Sequence, residues 1–314
     1  MHIAVFADIE GAFGIWRMRQ CRTGTAEWQY GRQCLTADVN QVVAGAFDGG
    51  ARRVSVVDTH DSGFNCLIDR LDRRARYVGG HYIRPTFFGS LNDYDLVLYV
   101  AIHAASGTPD AFFPHTHYGI FSEVRINRKP VCEMEVYGAY LGEFGLPIGL
   151  VAGQDIAVEQ TLKALPWAKS VVVDKNKKTY TSGSDSARYL SEGRNDLRRK
   201  AESAVRGIDH MKPLRAAGPL SFEAEFRNQD LADKSNTWNF NQHGRVVSWE
   251  ARNILDGFDD LNKLVFFPQK IYPYRGIQLM LFRSYYRIKH TYFAPTPNAE
   301  GAVSTGPSLE TQGC

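Results

Sequence analysis

A chain of 314 residues with 44% hydrophobic and 23% charged residues holds enough apolar material for one large or two modest cored domains, which excludes disordered and fibrous classes. The 37 basic and 34 acidic residues leave a formal charge of +3, a balance that argues against nucleic acid as a partner. With no apolar run of about 18 residues and no basic leader ahead of a long apolar stretch, a cytoplasmic protein without stable membrane insertion is expected.

The run Ile3–Ala7 predicts a short buried strand that stops in two carboxylates one residue apart, Asp8 and Glu10, followed by Gly11. Thr36–Phe47 has helical spacing and a Gly49-Gly50 stop. A second strand, Val54–Val57, leads into Asp58-Thr59-His60, and a third, Leu96–Ile102, ends at His103. Helix Glu133–Phe144, strand Pro147–Ala152, helix Ile156–Leu165 and strand Val171–Val173 continue the alternation. Residues 1–181 therefore read as an α/β metal-site domain, a mostly parallel sheet with helices on both faces. A charged helix over Ser186–Arg206, the alternating strand Pro219–Phe226, a strand at Val246–Trp249 and a helix over Ala251–Val265 predict a smaller α+β subdomain at 182–268. Residues 269–314 form an aromatic and basic extension, KIYPYRGIQLMLFRSYYRIKHTYF at its core. Packing over the body is expected of it, with an oligomer contact or a surface-seeking helix as alternatives. Its Gly/Ser/Thr/Pro-rich end, Gly301 to Cys314, is expected to be disordered. Five cysteines (Cys21, Cys34, Cys66, Cys132, Cys314) lack C-x-x-C spacing and predict structural thiols in a reducing compartment.

Ligands of open parallel sheets bind at the carboxyl ends of the strands. Three strands end here in metal-type ligands: Asp8 and Glu10, His60, and His103. Side chains two apart share a strand face, about 6–7 Å between Cβ atoms, which suits one metal or a close pair. Imidazole with carboxylate suits zinc, with manganese or iron open by ligand type. Each element alone has a plainer explanation, since an Asp-x-Glu at a strand end is usually a solvated loop start. The clustering of His60, His81, His103, His115 and His117 strengthens the metal reading. A histidine in the loop after His103 could move a proton, or pack under Phe112 and Phe113. Glu133 could be a ligand or an acid complementing its helix dipole, and Glu135 competes with it.

The ordered set Asp8-x-Glu10-Gly11, Asp58-Thr59-His60, His103 with Thr108-Pro109, His115 and Glu133 resembles the D-aminopeptidase family of bacterial dipeptide-transport operons, self-compartmentalising zinc peptidases. Gly31-Arg32 before the first helix, Asn65, Lys129-Pro130-Val131, Val151-Ala152-Gly153-x-Asp155 and the stretch Val246–Leu255 extend the likeness over most of 1–265. The resemblance implies two zinc ions held by Asp8, Glu10, His60, His103 and Glu133, with Asp8 bridging and His115 as the catalytic histidine. It also implies small peptide or amide substrates with an N-terminal D-residue, and a homo-oligomer, a decameric ring of two pentamers. Departures fall near the substrate side: a longer His103–His115 interval that makes His117 an alternative, Gln154 where an acid is common, and Asp174-Lys175 with a polar Thr179–Ser186. The function expected is a binuclear zinc hydrolase cleaving an amide of a small peptide-like substrate. A tailoring amidohydrolase or acyl-transfer enzyme on the same metal site is the alternative, and a binding or assembly protein with a degenerate site is disfavoured.

Overall fold

The N-terminal apolar run forms β1 (His2–Ala7), an inner strand of a six-stranded sheet, in a computed structural model that describes residues 1–61, 63–79, 91–175 and 183–292. β2 (Arg53–Asp58) and β4 (Leu96–Ile102) flank it in parallel. β3 (Arg76–Val78), β7 (Ile148–Gln154) and β8 (Lys169–Val173) complete an all-parallel sheet of order β3-β2-β1-β4-β7-β8. Buried on both faces, these strands read as continuous apolar runs rather than alternating ones. Within β1, Ile3, Val5 and Ala7 join a core with α2 (Ala26–Asp48) and α5 (Gly183–Arg206). Ala4 and Phe6 point to the other face, into a core shared with α3 (Glu133–Glu143) and α4 (Asp155–Ala164).

A second sheet is antiparallel, with order β10-β11-β9-β5-β6: β5 (Phe121–Ile126), β6 (Lys129–Pro130), β9 (Leu220–Phe226), β10 (Asn241–His243) and β11 (Val246–Ala251). Alternate residues of β9, Leu220, Phe222, Ala224 and Phe226, are buried, as one-sided burial of an antiparallel strand requires. α6 (Gln229–Ser235) and α7 (Ile254–Phe266) pack on this sheet, and α7 also reaches α3.

The first helices differ from the expectation. A short α1 (Met18–Cys21) precedes α2, which starts at Ala26 rather than Thr36 because the Thr25 hydroxyl caps it, accepting from Trp28 N at 3.1 Å. Gly31-Arg32 thus lies inside the helix, not before it. A Cβ on Gly31 would stand 2.1 Å from the Gln20 carbonyl oxygen, so this helical glycine is fixed by the close approach of α1. The last helix, α8 (Arg275–Tyr292), buries Leu279 against Phe267, and among its described side chains Ile277, Met280, Leu281 and Ile288 are exposed to solvent. Residues 301–314 and 179–182 fall outside the described residues, as do the side chains of 183–186. Among the described residues no helix is long and apolar enough to cross a membrane.

Candidate active site

β2, β1 and β4 are neighbours and end at one edge, so their following residues converge. Asp8 N still pairs with Val100 O at 3.1 Å, and Gly11 N with Ala101 O at 2.8 Å, which folds the Asp8–Gly11 turn onto the end of β4. A Cβ at Gly11 would lie 2.1 Å from Ile102 O; glycine is what lets Glu10 turn inward. At the same place Ala101 takes φ 64°, and the β4–β7 register shifts between Val100 and Ile102. This bulge re-aims His103 at the carboxylates. Glu133 arrives from the first turn of α3, its Oε2 accepting from the His117 backbone N–H at 2.9 Å.

All six residues named from the sequence come together. His60 Nδ1 lies 2.9 Å from Asp8 Oδ1 and 3.1 Å from Glu10 Oε2. His103 Nε2 lies 3.3 Å from Asp8 Oδ2 and 3.5 Å from Glu133 Oε2. Asp8 is thus shared between the two imidazoles, one oxygen each. The His115 ring stacks on His103 with centroids 3.7 Å apart, and its Nε2 is 4.0 Å from Glu10 Oε1. Each imidazole is oriented by a backbone carbonyl on its far nitrogen: His60 Nε2 donates to Cys21 O (2.9 Å), His103 Nδ1 to Ala104 O (3.2 Å), His115 Nδ1 to Phe113 O (3.0 Å). A carbonyl only accepts, so each ring carries a proton on that side and turns its other nitrogen to the carboxylates, the orientation of metal-ligating histidines.

His117 is placed differently. Its ring is enclosed by Phe258 and Phe266 of α7, with centroids at 5.2 and 5.8 Å, while only its backbone N–H reaches Glu133. Of the other positions flagged on the substrate side, Lys175 does not line the cavity. Its ammonium instead donates to Ala12 O and Ile15 O at 2.8 and 2.9 Å, bracing the turn after Glu10. The Gln154 amide, oriented to satisfy both groups, pairs with the Phe112 backbone, a double role an acid in that place could not fill.

The supports invisible to local reading are long-range. Buried Asp58 accepts from Asn65 N (2.6 Å), Asn65 Nδ2 (2.9 Å), Cys66 N (2.9 Å) and the Tyr77 hydroxyl (3.0 Å). Asn65 Nδ2 also donates to His60 O at 2.6 Å, fixing the loop that carries His60. The site opens into a cavity of about 430 Å³ whose rim includes Met18, Arg22, Thr23, Asp61 and Tyr118. Among the described residues Arg22 is the only Lys or Arg lining it.

Electrostatics follow from burial and charge. Burial alone would raise Asp8, but hydrogen bonds from His103 and His60 hold it well below the usual carboxylate range. Burial and then the Asp8 charge push Glu10 up. Burial works against the charged forms of His60 and His103, yet the facing carboxylates hold both well above an ordinary histidine. Burial and the neighbouring His103 pull His115 down to about 4. The donor set fits a cation. Both Glu10 oxygens are buried without a hydrogen-bond partner, the His60 nitrogen beside them being aligned on Asp8. Potential ligand atoms of Asp8, Glu10 and His103 lie within 4.8 Å of one another, as do those of His103, His115 and Glu133.

The chain matches the model of the Peptidase M55 family, described as D-aminopeptidase, over residues 1–262. It is 23% identical over 262 residues to a D-aminopeptidase of Bacillus subtilis (strain 168), covering 82% of this chain and 94% of the relative. It also superimposes on a solved structure, a Zn-dependent D-aminopeptidase from Bacillus subtilis described as a self-compartmentalizing protease. The TM-score is 0.76 at 22% identity, over 85% of this chain and 98% of the other.

Proposed function

The chain belongs to the D-aminopeptidase family and is a metal-dependent hydrolase, and from that premise we propose that it is a zinc peptidase holding its metal through Asp8, Glu10, His60, His103 and Glu133 and cleaving short peptides with a free amino terminus. The observation that carries the reading is Glu10, a buried carboxylate whose two oxygens accept no hydrogen bond and face ring nitrogens of His60 and His115 at 3.1 and 4.0 Å. Asp8, with one oxygen toward His60 and the other toward His103, supports a two-ion site with Asp8 as the shared ligand. Zinc supplies Lewis acidity toward a peptide carbonyl and toward water. His115, held by the Phe113 carbonyl, takes a proton at Nε2 from the water that attacks the peptide carbonyl and returns it to the departing amine as the C–N bond breaks. The 430 Å³ cavity suits a substrate of a few residues, and Arg22 at its rim pairs with the free carboxylate of such a peptide. The self-compartmentalizing relative supports a homo-oligomer, a decameric ring in this reading, and the four described cysteines, free and buried, fit a reducing cytoplasm.

The test is elemental analysis of protein purified without chelator, combined with hydrolysis of D- and L-amino-acid dipeptides. Stoichiometric zinc with D-selective hydrolysis supports the proposal. A metal-free chain of ordinary stability sinks it. Full metal with inertness toward every dipeptide would shift the reading to an amidohydrolase or acyl-transfer role on the same centre.

A further inference from the structure

Beyond the family match, which stops at residue 262, the chain continues into α8, and this helix has two unlike sides. Leu279 turns inward, 7% exposed, against Phe267. Gln278 Nε2 donates to Phe266 O at 3.3 Å, and Arg275 lies over the Tyr272 ring, so the start of the helix is fastened to the body. The opposite side is apolar and in solvent. Ile277, Leu281 and Ile288, which fall on one stripe at 3.6 residues per turn, are 56%, 61% and 51% exposed, and Met280 beside them is 58% exposed.

The charge along this stretch of sequence has one sign. No Asp or Glu occurs between Asp260 and Glu300, while Lys270, Arg275, Arg283, Arg287 and Lys289 all fall in that interval. A second copy of the helix would bring one net-positive segment against another. An apolar stripe in an acid-free, basic helix complements an anionic and apolar surface, which is what a bilayer with acidic headgroups offers. The helix is too short of apolar residues to cross a bilayer.

We propose that α8 is an interfacial helix that docks the protein on an anionic lipid surface, with Ile277, Met280, Leu281 and Ile288 entering the headgroup boundary. The test uses the full chain and sedimentation with vesicles. Binding is expected to phosphatidylglycerol-containing vesicles at low ionic strength, not to pure phosphatidylcholine, and is expected to be reversed by salt. The double variant Leu281→Glu, Ile288→Glu alters only exposed positions, so its unfolding curve should match the parent, while vesicle affinity falls about tenfold or more. Absence of binding to either vesicle, or equal binding of parent and variant, overturns the proposal. So does a concentration-dependent oligomer in sedimentation velocity that the same variant dissolves, with vesicle binding absent, since the face then belongs to a second copy.

Discussion

At Glu10 a single side chain carries the case for a cation, because a buried carboxylate whose oxygens accept no hydrogen bond and have only the His60 imidazole at 3.1 Å is costly to hold beside Asp8. His115 tests a different part of the mechanism. Stacked on His103 and 4.0 Å from Glu10, it can serve the reaction without being needed to hold metal. His115→Ala is therefore expected to keep the parent's zinc content and lose about 100- to 10,000-fold in kcat. Metal analysis beside steady-state kinetics checks this, and unchanged turnover removes His115 from the mechanism. Arg22→Met should raise KM for a free dipeptide about tenfold while leaving the matching dipeptide amide unaffected, since only the former presents a carboxylate. Equal effects on both would deny Arg22 that contact. Strand-end residues such as Asp8, Glu10, His60 and His103 are legible in sequence because each follows an apolar run that announces its own end. The choice between His115 and His117 is not, since it depends on which ring α7 covers, some 140 residues away in the chain.

Elements carry the site through contacts that no local pattern encodes. The Asp58-Thr59-His60 motif stands out, yet Asn65 has no visible purpose until the β2 loop folds back and its amide bridges Asp58 and His60 O. Asn65→Ala should weaken metal affinity about 10- to 100-fold, the usual effect of losing a partner behind a ligand, measured by competition with a chromophoric chelator. An unchanged affinity would mean the loop holds its shape without the amide. The parallel sheet was readable from alternating apolar runs and helical spacings. The antiparallel sheet was readable only in part, because β5 pairs with β9 across about a hundred residues and its own sequence, FSEVRI, alternates weakly. The packing of α5 on α2 is likewise non-local and rests on a buried ion pair, Arg194 Nε to Asp38 Oδ1 at 2.8 Å, with Phe13 N on the other oxygen at 2.7 Å. Burial raises Asp38 to about 6 even with Arg194 opposing it, and Lys175, Cys34 and Tyr30 also face the pair. A raised carboxyl pKa means ionisation opposes folding above about 6, and that this cost fades as pH falls toward the unfolded value. Arg194→Met removes the main opposing charge, so its loss of stability should be small at pH 5 and reach about 3 kcal/mol at pH 8, by urea unfolding at each pH. A pH-independent loss would mean the arginine contributes packing alone.

For the molecule as a whole, the proposed metal centre lies where the sheet, the loop holding His115 and α3 meet, so loading it should be felt in global stability. Asp8, Glu10 and Glu133 come from two elements distant in sequence and are all buried within one cluster. Their mutual repulsion and desolvation oppose folding in the metal-free protein, and a cation that binds only the folded arrangement offsets both. Chelation is thus expected to lower stability by about 4 kcal/mol relative to zinc supplied at about a thousand times its dissociation constant. Readdition of zinc should restore the melting temperature along with activity. Glu10→Gln separates this from a general effect of chelator. The substitution removes one buried charge, so the metal-free variant should melt no lower than the metal-free parent, while zinc stabilises it much less. If zinc is stripped by chelation and the parent's melting temperature does not move, the zinc was not held by the folded carboxylate cluster, and the carboxylates must already be compensated by protein groups.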